Sequence, residues 1–200
     1  EGSENNVLDR YYKASKLFNS DYVVRITGDC PLIDSKVVDE VIDLAIKNKL
    51  DYASNVCPPT FPDGLDTSVI STSALKYAWK KAKSDFDKEH VVTYIQKNKK
   101  FKKSKLKFSK DLSSERWTVD EPEDFQVIKN IFSNFNNFNF GWKKILSLKK
   151  KKPRLFLANK DIIRDEGSVL SEGQKLWKRA KRIIPGGNMF LSKRPNLFLP

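Results

Sequence analysis

The spacing of apolar residues alternates between a helical and an extended period along the first part of the chain. Residues 7–19 carry apolar side chains at helical spacing, and the β-branched run at 21–27 predicts a short strand. Residues 35–49 form one apolar stripe that Asp34 can cap, and residues 50–56 again resemble a strand. This order predicts an α/β fold with a mostly parallel sheet and helices on both faces.

The same alternation continues beyond a loop. Proline and glycine concentrate at residues 57–66, and the segment 65–71 is extended. The later signals are helices at 73–84 and 87–99, capped by Ser71 or Thr72 and by Asp87, strands at 104–112 and 115–119, and a helix with Pro122 in its first turn. We therefore expect the first domain to end near residue 135.

Basic residues are concentrated towards the C-terminal end. The formal net charge is +13, and residues 136–200 alone hold 16 Lys and Arg against four Asp and Glu. The densest run, residues 148–154, is typical of a solvated linker, and phosphate binding is the alternative. We interpret residues 136–168 as a basic linker and 169–200 as the start of a second domain. A nucleic-acid-binding protein is disfavoured because the first 135 residues are almost neutral.

Several protein classes are excluded by composition. No run approaches the roughly 18 apolar residues that a membrane span needs, and the acidic start does not resemble a secretory signal. We therefore expect a cytoplasmic protein with no membrane span. The two cysteines, Cys30 and Cys57, fit neither a disulfide scaffold nor a structural zinc site. The chain contains no P-loop and no GxGxxG motif.

Two aspartates follow predicted strands, Asp29 after residues 21–27 and Asp120 after 115–119. Ligands of open α/β sheets bind beyond the carboxyl ends of the strands, so the two side chains can converge there. Paired carboxylates suit Mg²⁺, which prefers oxygen ligands and retains waters or substrate phosphates. Each aspartate can instead cap the segment that follows it, and the residues alone leave both interpretations open. The single histidine, His90, is more typical of a surface or interface than of catalysis.

Five segments occur in the order of a known family: NNVLDRYYKAS, VVRITGDCPLID, FPDGLDTSVIS, EHVVTYI and RWTVDEPEDF. They resemble the spore coat polysaccharide biosynthesis protein F family, which is related to the CMP-ketodeoxyoctonate and acylneuraminate synthetases. The resemblance covers residues 1–135. It implies a nucleotide-diphosphosugar transferase fold, a Rossmann-like α/β sandwich.

The resemblance also implies an activity. Such a cytidylyltransferase activates a sugar or sugar acid with CTP and Mg²⁺ for surface polysaccharide synthesis, and we expect a homo-oligomer. Asp29 and Asp120 match the acids that hold the metal and act in catalysis. The residues expected on the sugar side are Arg25, Asp63, Gly64, Asp66, Glu89 and His90.

Two departures from the family pattern limit this expectation. Family members begin with a strand and a basic, glycine-containing loop that holds the triphosphate, and this chain starts downstream of both. We therefore expect these 200 residues alone to be inactive. Ser68 stands where the family usually has an acid, which leaves the sugar specificity open.

The tail resembles a different family. The segment LSEGQKLWKRAKRIIPGGNMFLSKRPNLFLP is similar to the opening of class III aminotransferases of the glutamate-1-semialdehyde aminomutase type. Those enzymes use pyridoxal phosphate on a lysine that would lie far downstream. An alternative function follows, in which an aminotransferase or aminomutase carries a degenerate nucleotidyltransferase module at its N-terminal side.

Overall fold

The computed structural model describes residues 2, 3, 5–162 and 164 of the chain. The chain divides into two compact units, Glu1–Lys160 and Asp161–Pro200. All helices and strands of the described residues lie in the first unit. None of these helices is long and apolar enough to cross a membrane.

Four short strands form one mixed sheet. They are β1 (Tyr22–Arg25), β2 (Tyr52–Ser54), β3 (Ser68–Ser71) and β4 (Lys103–Lys105), in the spatial order β1-β3-β2-β4. Strand β3 is antiparallel to both neighbours, whereas β2 and β4 are parallel. The expected α/β class is confirmed, but the expected mostly parallel sheet is wrong for the described strands. The chain passes from β2 to β3 through a loop, without the crossover helix that usually joins parallel neighbours.

Seven α-helices and one 3₁₀ helix surround this sheet in the described part of the chain. They are α1 (Val7–Leu17), α2 (Ser35–Lys47), α3 (Thr72–Lys81), α4 (Asp85–His90), α5 (Thr93–Lys97), α6 (Pro122–Phe132), α7 (Trp142–Lys151) and the 3₁₀ helix Pro153–Phe156. The predicted caps of α2 and α3 are confirmed, because the side chains of Asp34 and Ser71 accept backbone N–H groups there.

Two local predictions are wrong. The expected helix 87–99 is divided between α4 and α5 at Val91, whose φ is 60°, and α4 is capped by Ser84 rather than Asp87. The buried Val91 side chain fixes this break in the core. The expected strand 115–119 reduces to a single bridge between Arg116 and Asp63.

Three apolar clusters hold the unit together. One lies between the sheet and α1, α3 and α5, and a smaller one lies under α2. The third, beside the sheet, joins the loop after β2 to α6 and α7 around the fully buried Trp117. This third cluster supports the segments that carry most of the acids discussed below.

The first compact unit extends further than the predicted boundary at residue 135. Trp142, Ile145 and Phe156 are buried in the Trp117 cluster, so residues 136–160 belong to the folded unit and do not form a linker. The many lysines of this segment made it resemble a solvated linker. A helix can nevertheless bury one narrow apolar face while its other faces stay charged. The predicted second domain at 169–200 lies outside the described residues.

Candidate functional site

The turn after β1 is hydrogen-bonded to the segment before α6. The backbone carbonyl of Asp29 accepts the N–H of Val119 at 2.9 Å and the hydroxyl of Thr118 at 3.1 Å. Asp120 is the next residue, so Asp29 and Asp120 lie on adjoining segments although 91 positions separate them. Asp120 does not cap α6, since Glu121 occupies the N-cap position.

Arg116 connects three of the nearby aspartates. Its Nε donates to Oδ1 of Asp124 at 2.8 Å, and its Nη1 to Oδ2 of Asp63 at 3.2 Å. Its Nη2 donates to Oδ2 of Asp120 at 2.9 Å and to Oδ2 of Asp124 at 2.7 Å. We call these four residues the Arg116 cluster. Sequence reasoning missed both Arg116 and Asp124.

Asp124 is the buried base of the Arg116 cluster. Its Oδ2 also accepts the backbone N–H groups of Asp120 and Glu121, both at 3.1 Å, and its Oδ1 accepts Nδ2 of Asn159 at 2.8 Å. Burial by itself raises the pKa of Asp124, but the hydrogen bonds from Arg116 and Asn159 outweigh it and the pKa lies below the usual range. Asp124 is therefore ionised at neutral pH and fixes the start of α6.

The loop after β2 brings Asp63 into this cluster. The N–H of Asp63 donates to the Glu115 carbonyl, and its own carbonyl accepts the N–H of Trp117, both at 2.8 Å. The following Gly64 has a φ of 97°, and a Cβ there would lie 2.6 Å from the Trp117 carbonyl. Gly64, expected on the sugar side, thus has a packing role in this loop.

Cys30 is a buried thiol next to Asp29, and its Sγ lies 3.5 Å from Oδ1 of Asp29. The pKa of its thiol is raised to about 12, chiefly by burial; the hydrogen bond with the Thr27 hydroxyl opposes this increase, and the charges of Asp29 and Asp66 add to it. Cys30 therefore remains a protonated thiol at neutral pH. Both aspartates therefore act on the same thiol, Asp29 from the β1 turn and Asp66 from the loop after β2.

The remaining predicted sugar-side residues are dispersed. Arg25 lies on β1, where its buried Nε has no hydrogen-bond partner within the described part of the chain. Glu89 is exposed on α4, and the ring of His90 packs at 4.2 Å on that of Phe86. Neither the Glu89 side chain nor the His90 side chain forms a hydrogen bond or ion pair with another described residue.

A separate cavity of about 370 Å³ lies between β2, β4 and α5. Tyr52 and Gln96 line it, and Nε2 of Gln96 donates to the Tyr52 hydroxyl at 2.9 Å. Behind this wall, the Tyr52 hydroxyl lies 3.1 Å from that of Ser68. Ser68, the residue that departs from the family pattern, is thus buried in a neutral hydrogen-bonded group. A carboxylate at that position would have to share this space.

The side chains of this site could hold a hard cation only if a bound substrate supplied further oxygen ligands. Among the described residues, no group of three or more His, Cys, Asp and Glu is arranged to hold a metal ion. Asp29 and Asp120 supply two carboxylates, which is the usual protein contribution to Mg²⁺ when phosphates and waters complete the coordination. The residues present therefore fit a nucleotide-bound magnesium ion.

A profile described as cytidylyltransferase matches residues 1–162. The chain belongs to this cytidylyltransferase family. The matched residues include 136–162, most of the segment 136–168 that the sequence pattern predicts as a linker.

Two curated relatives of this cytidylyltransferase-family chain are longer than it is. It is 35% identical over 164 residues to an uncharacterised protein of Methanocaldococcus jannaschii, covering 80% of this chain and 66% of that protein. It is 28% identical over 137 residues to the spore coat polysaccharide biosynthesis protein SpsF of Bacillus subtilis, covering 66% and 55%. The chain therefore spans less than two thirds of the length of each.

A solved structure of a family member supports the fold. The cytidylyltransferase from Leptospira borgpetersenii aligns with a TM-score of 0.77 and 34% sequence identity, over 82% of this chain and 70% of that one. The α/β nucleotidyltransferase fold inferred from the ordered motifs is thus confirmed.

Proposed function

We propose that the protein uses CTP to activate a sugar or sugar acid for surface polysaccharide synthesis. The main support for this proposal is the hydrogen bond from the Val119 N–H to the Asp29 carbonyl. Because of this hydrogen bond, Asp29 and Asp120 lie on neighbouring segments. Membership of the cytidylyltransferase family and the similarity to the spore coat polysaccharide biosynthesis protein SpsF support it.

In the proposed reaction a sugar hydroxyl attacks the α-phosphate of CTP and pyrophosphate leaves. Asp29 and Asp120 would hold Mg²⁺, which neutralises charge on the phosphate oxygens. Arg25, Asp66 and Glu89 stay proposed for the sugar side, as does His90. Asp63 and Gly64 instead act on the protein itself, through Arg116 and Trp117.

The test uses the full-length protein and follows pyrophosphate release with CTP, Mg²⁺ and a panel of neutral and acidic sugars. We expect Asp29→Asn and Asp120→Asn each to lower kcat/KM about 100-fold or more, since each removes a charged ligand. Asp43→Asn is the matched control, because Asp43 is exposed on α2 and pairs with Lys47 alone among the described residues. Full activity in both aspartate variants would contradict the metal assignment.

The aminotransferase alternative rests on the resemblance of residues 169–200 and concerns the whole protein. If it applies, the full-length protein binds pyridoxal phosphate as an imine and absorbs near the visible range, and borohydride reduction fixes the cofactor covalently. A full-length protein that stays colourless with added pyridoxal phosphate would exclude this activity and leave the nucleotidyltransferase proposal unaffected.

A further inference from the structure

The guanidinium of Arg116 has almost no donor left for a substrate. It carries five N–H groups, and four of them are used by Asp63, Asp120 and Asp124. The side chain is only 9% exposed. Arg116 could bind a phosphate through two N–H groups only if it gave up some of its hydrogen bonds to these aspartates. Arg116 is therefore placed to act on the protein's own carboxylates.

Asp120 is fixed on one side and open on the other. Its backbone N–H donates to Asp124, and its Oδ2 accepts from Arg116. The side chain is nevertheless 50% exposed, and Oδ1 accepts no hydrogen bond from another described residue. A carboxylate held in this way at one oxygen can still bind a cation through the other, and such outer hydrogen bonds orient metal-binding carboxylates generally.

The charges around Arg116 show why removal of the guanidinium would disturb Asp120. One positive group faces three carboxylates, of which those of Asp63 and Asp124 are buried. Without the guanidinium, these like charges would repel one another at short range. Asp120 is the exposed member of the cluster, so it is the one free to turn away.

We propose that Arg116 is a positioning residue that holds Asp120 by Oδ2 so that Oδ1 is presented to the cation of a bound nucleotide. The inference rests on the proposed function, since it assigns a role to the neighbour of a proposed metal ligand. It goes further by separating two roles within the Arg116 cluster. Asp120 contacts the cation, while Arg116, supported by Asp63 and Asp124, determines where Asp120 points.

The test measures cation binding directly in the full-length protein. Free Mn²⁺ is followed by electron paramagnetic resonance during titration with CTP present, and the Mg²⁺ concentration for half-maximal pyrophosphate release is measured separately. We expect Arg116→Lys to weaken Mn²⁺ binding about 10- to 100-fold and to raise the Mg²⁺ requirement similarly, because lysine keeps the charge but not the planar fork. Saturating Mg²⁺ should restore much of kcat.

The matched control is Glu115→Gln. Glu115 directly precedes Arg116, and this substitution breaks its ion pair with Lys149. That ion pair does not involve Asp120. We expect its Mn²⁺ affinity to equal that of the wild type, even if its unfolding temperature falls as much as that of Arg116→Lys. A second variant, Asp63→Asn, leaves the contact from Arg116 to Asp120 in place and should weaken Mn²⁺ binding less.

The outcomes separate this inference from the proposed function. Wild-type Mn²⁺ affinity in a folded Arg116→Lys protein that remains active with Mg²⁺ would overturn the positioning role alone. Weakened Mn²⁺ binding in Arg116→Lys, together with no nucleotidyl transfer in the wild type, would retain the positioning role and reject the proposed function. Equal loss of affinity in Glu115→Gln would assign Arg116 a purely structural effect.

Discussion

Gly64 shows how tightly the loop beneath the acids is packed. Its φ of 97° is costly for any residue with a Cβ, and the added atom would meet the Trp117 carbonyl at 2.6 Å. We expect Gly64→Ala to lower the free energy of unfolding by about 1–3 kcal/mol, measured by urea denaturation. Gly28→Ala is the control, because a Cβ at Gly28 meets nothing within 4 Å. Equal stability of the two variants would contradict this.

The raised pKa of the Cys30 thiol predicts that the stability of the protein depends on pH. Its folded pKa of about 12 exceeds the usual thiol value near 8.5. Below about pH 8.5 both states keep the proton and stability is complete, whereas above it only the unfolded state loses the proton, so stability falls as pH rises. Between pH 8.5 and 10 the unfolding free energy of the wild type should decline more steeply than that of Cys30→Ala. Identical slopes would rule out the shift.

Sequence reasoning found residues whose position in the chain carried the signal. Asp29 could be identified because it ends an apolar run, and Asp34 because it precedes a helical stripe. Arg116 could not, since one of its partners, Asp63, lies 53 residues away and becomes a neighbour only through the fold. The available signal was an arginine within the acid-rich ERWTVDEPED segment.

At the level of elements, the sequence predicted that a helix connects two parallel strands. It did not predict that a third strand lies between them. Strands β1 and β2 point the same way, because both are antiparallel to β3, and helix α2 connects them as the α/β pattern requires. Strand β3 is inserted between them from further along the chain. Alternation of apolar residues reports the local period, whereas strand order depends on pairing between distant segments.

Asp34 begins two helices. Its Oδ1 accepts N–H groups of Lys36 and Val37 in α2, and its Oδ2 accepts the N–H of Trp142 in α7 at 2.9 Å. We expect Asp34→Asn to lose about 1–3 kcal/mol of unfolding free energy, since its amide has one acceptor oxygen and leaves one buried donor unpaired. Asp34→Ala should lose more. The measurement is urea denaturation. If the free energy of unfolding of Asp34→Asn equals that of the wild type, one of the two helices does not need this cap.

For the whole unit, the segment after residue 135 supplies part of the core. Phe156 is 6% exposed in the Trp117 cluster, whereas Phe138 is 86% exposed. We expect Phe156→Ala to lower the unfolding free energy by about 3 kcal/mol, and Phe138→Ala by less than about 0.5 kcal/mol. Thermal and urea unfolding of both proteins test this. A mild effect at Phe156 would restore the view of this segment as a dispensable connection.

Asn159, near the end of the first compact unit, donates to the Arg116 carbonyl at 3.2 Å and to Oδ1 of Asp124. It follows Arg116 by 43 residues. At a synthesis rate of 5–20 residues per second, a ribosome needs about 2–9 s to cover that distance. Until Asn159 has been synthesised, Asp124 lacks this donor, so the hydrogen bonds around Arg116 can be completed only after that interval.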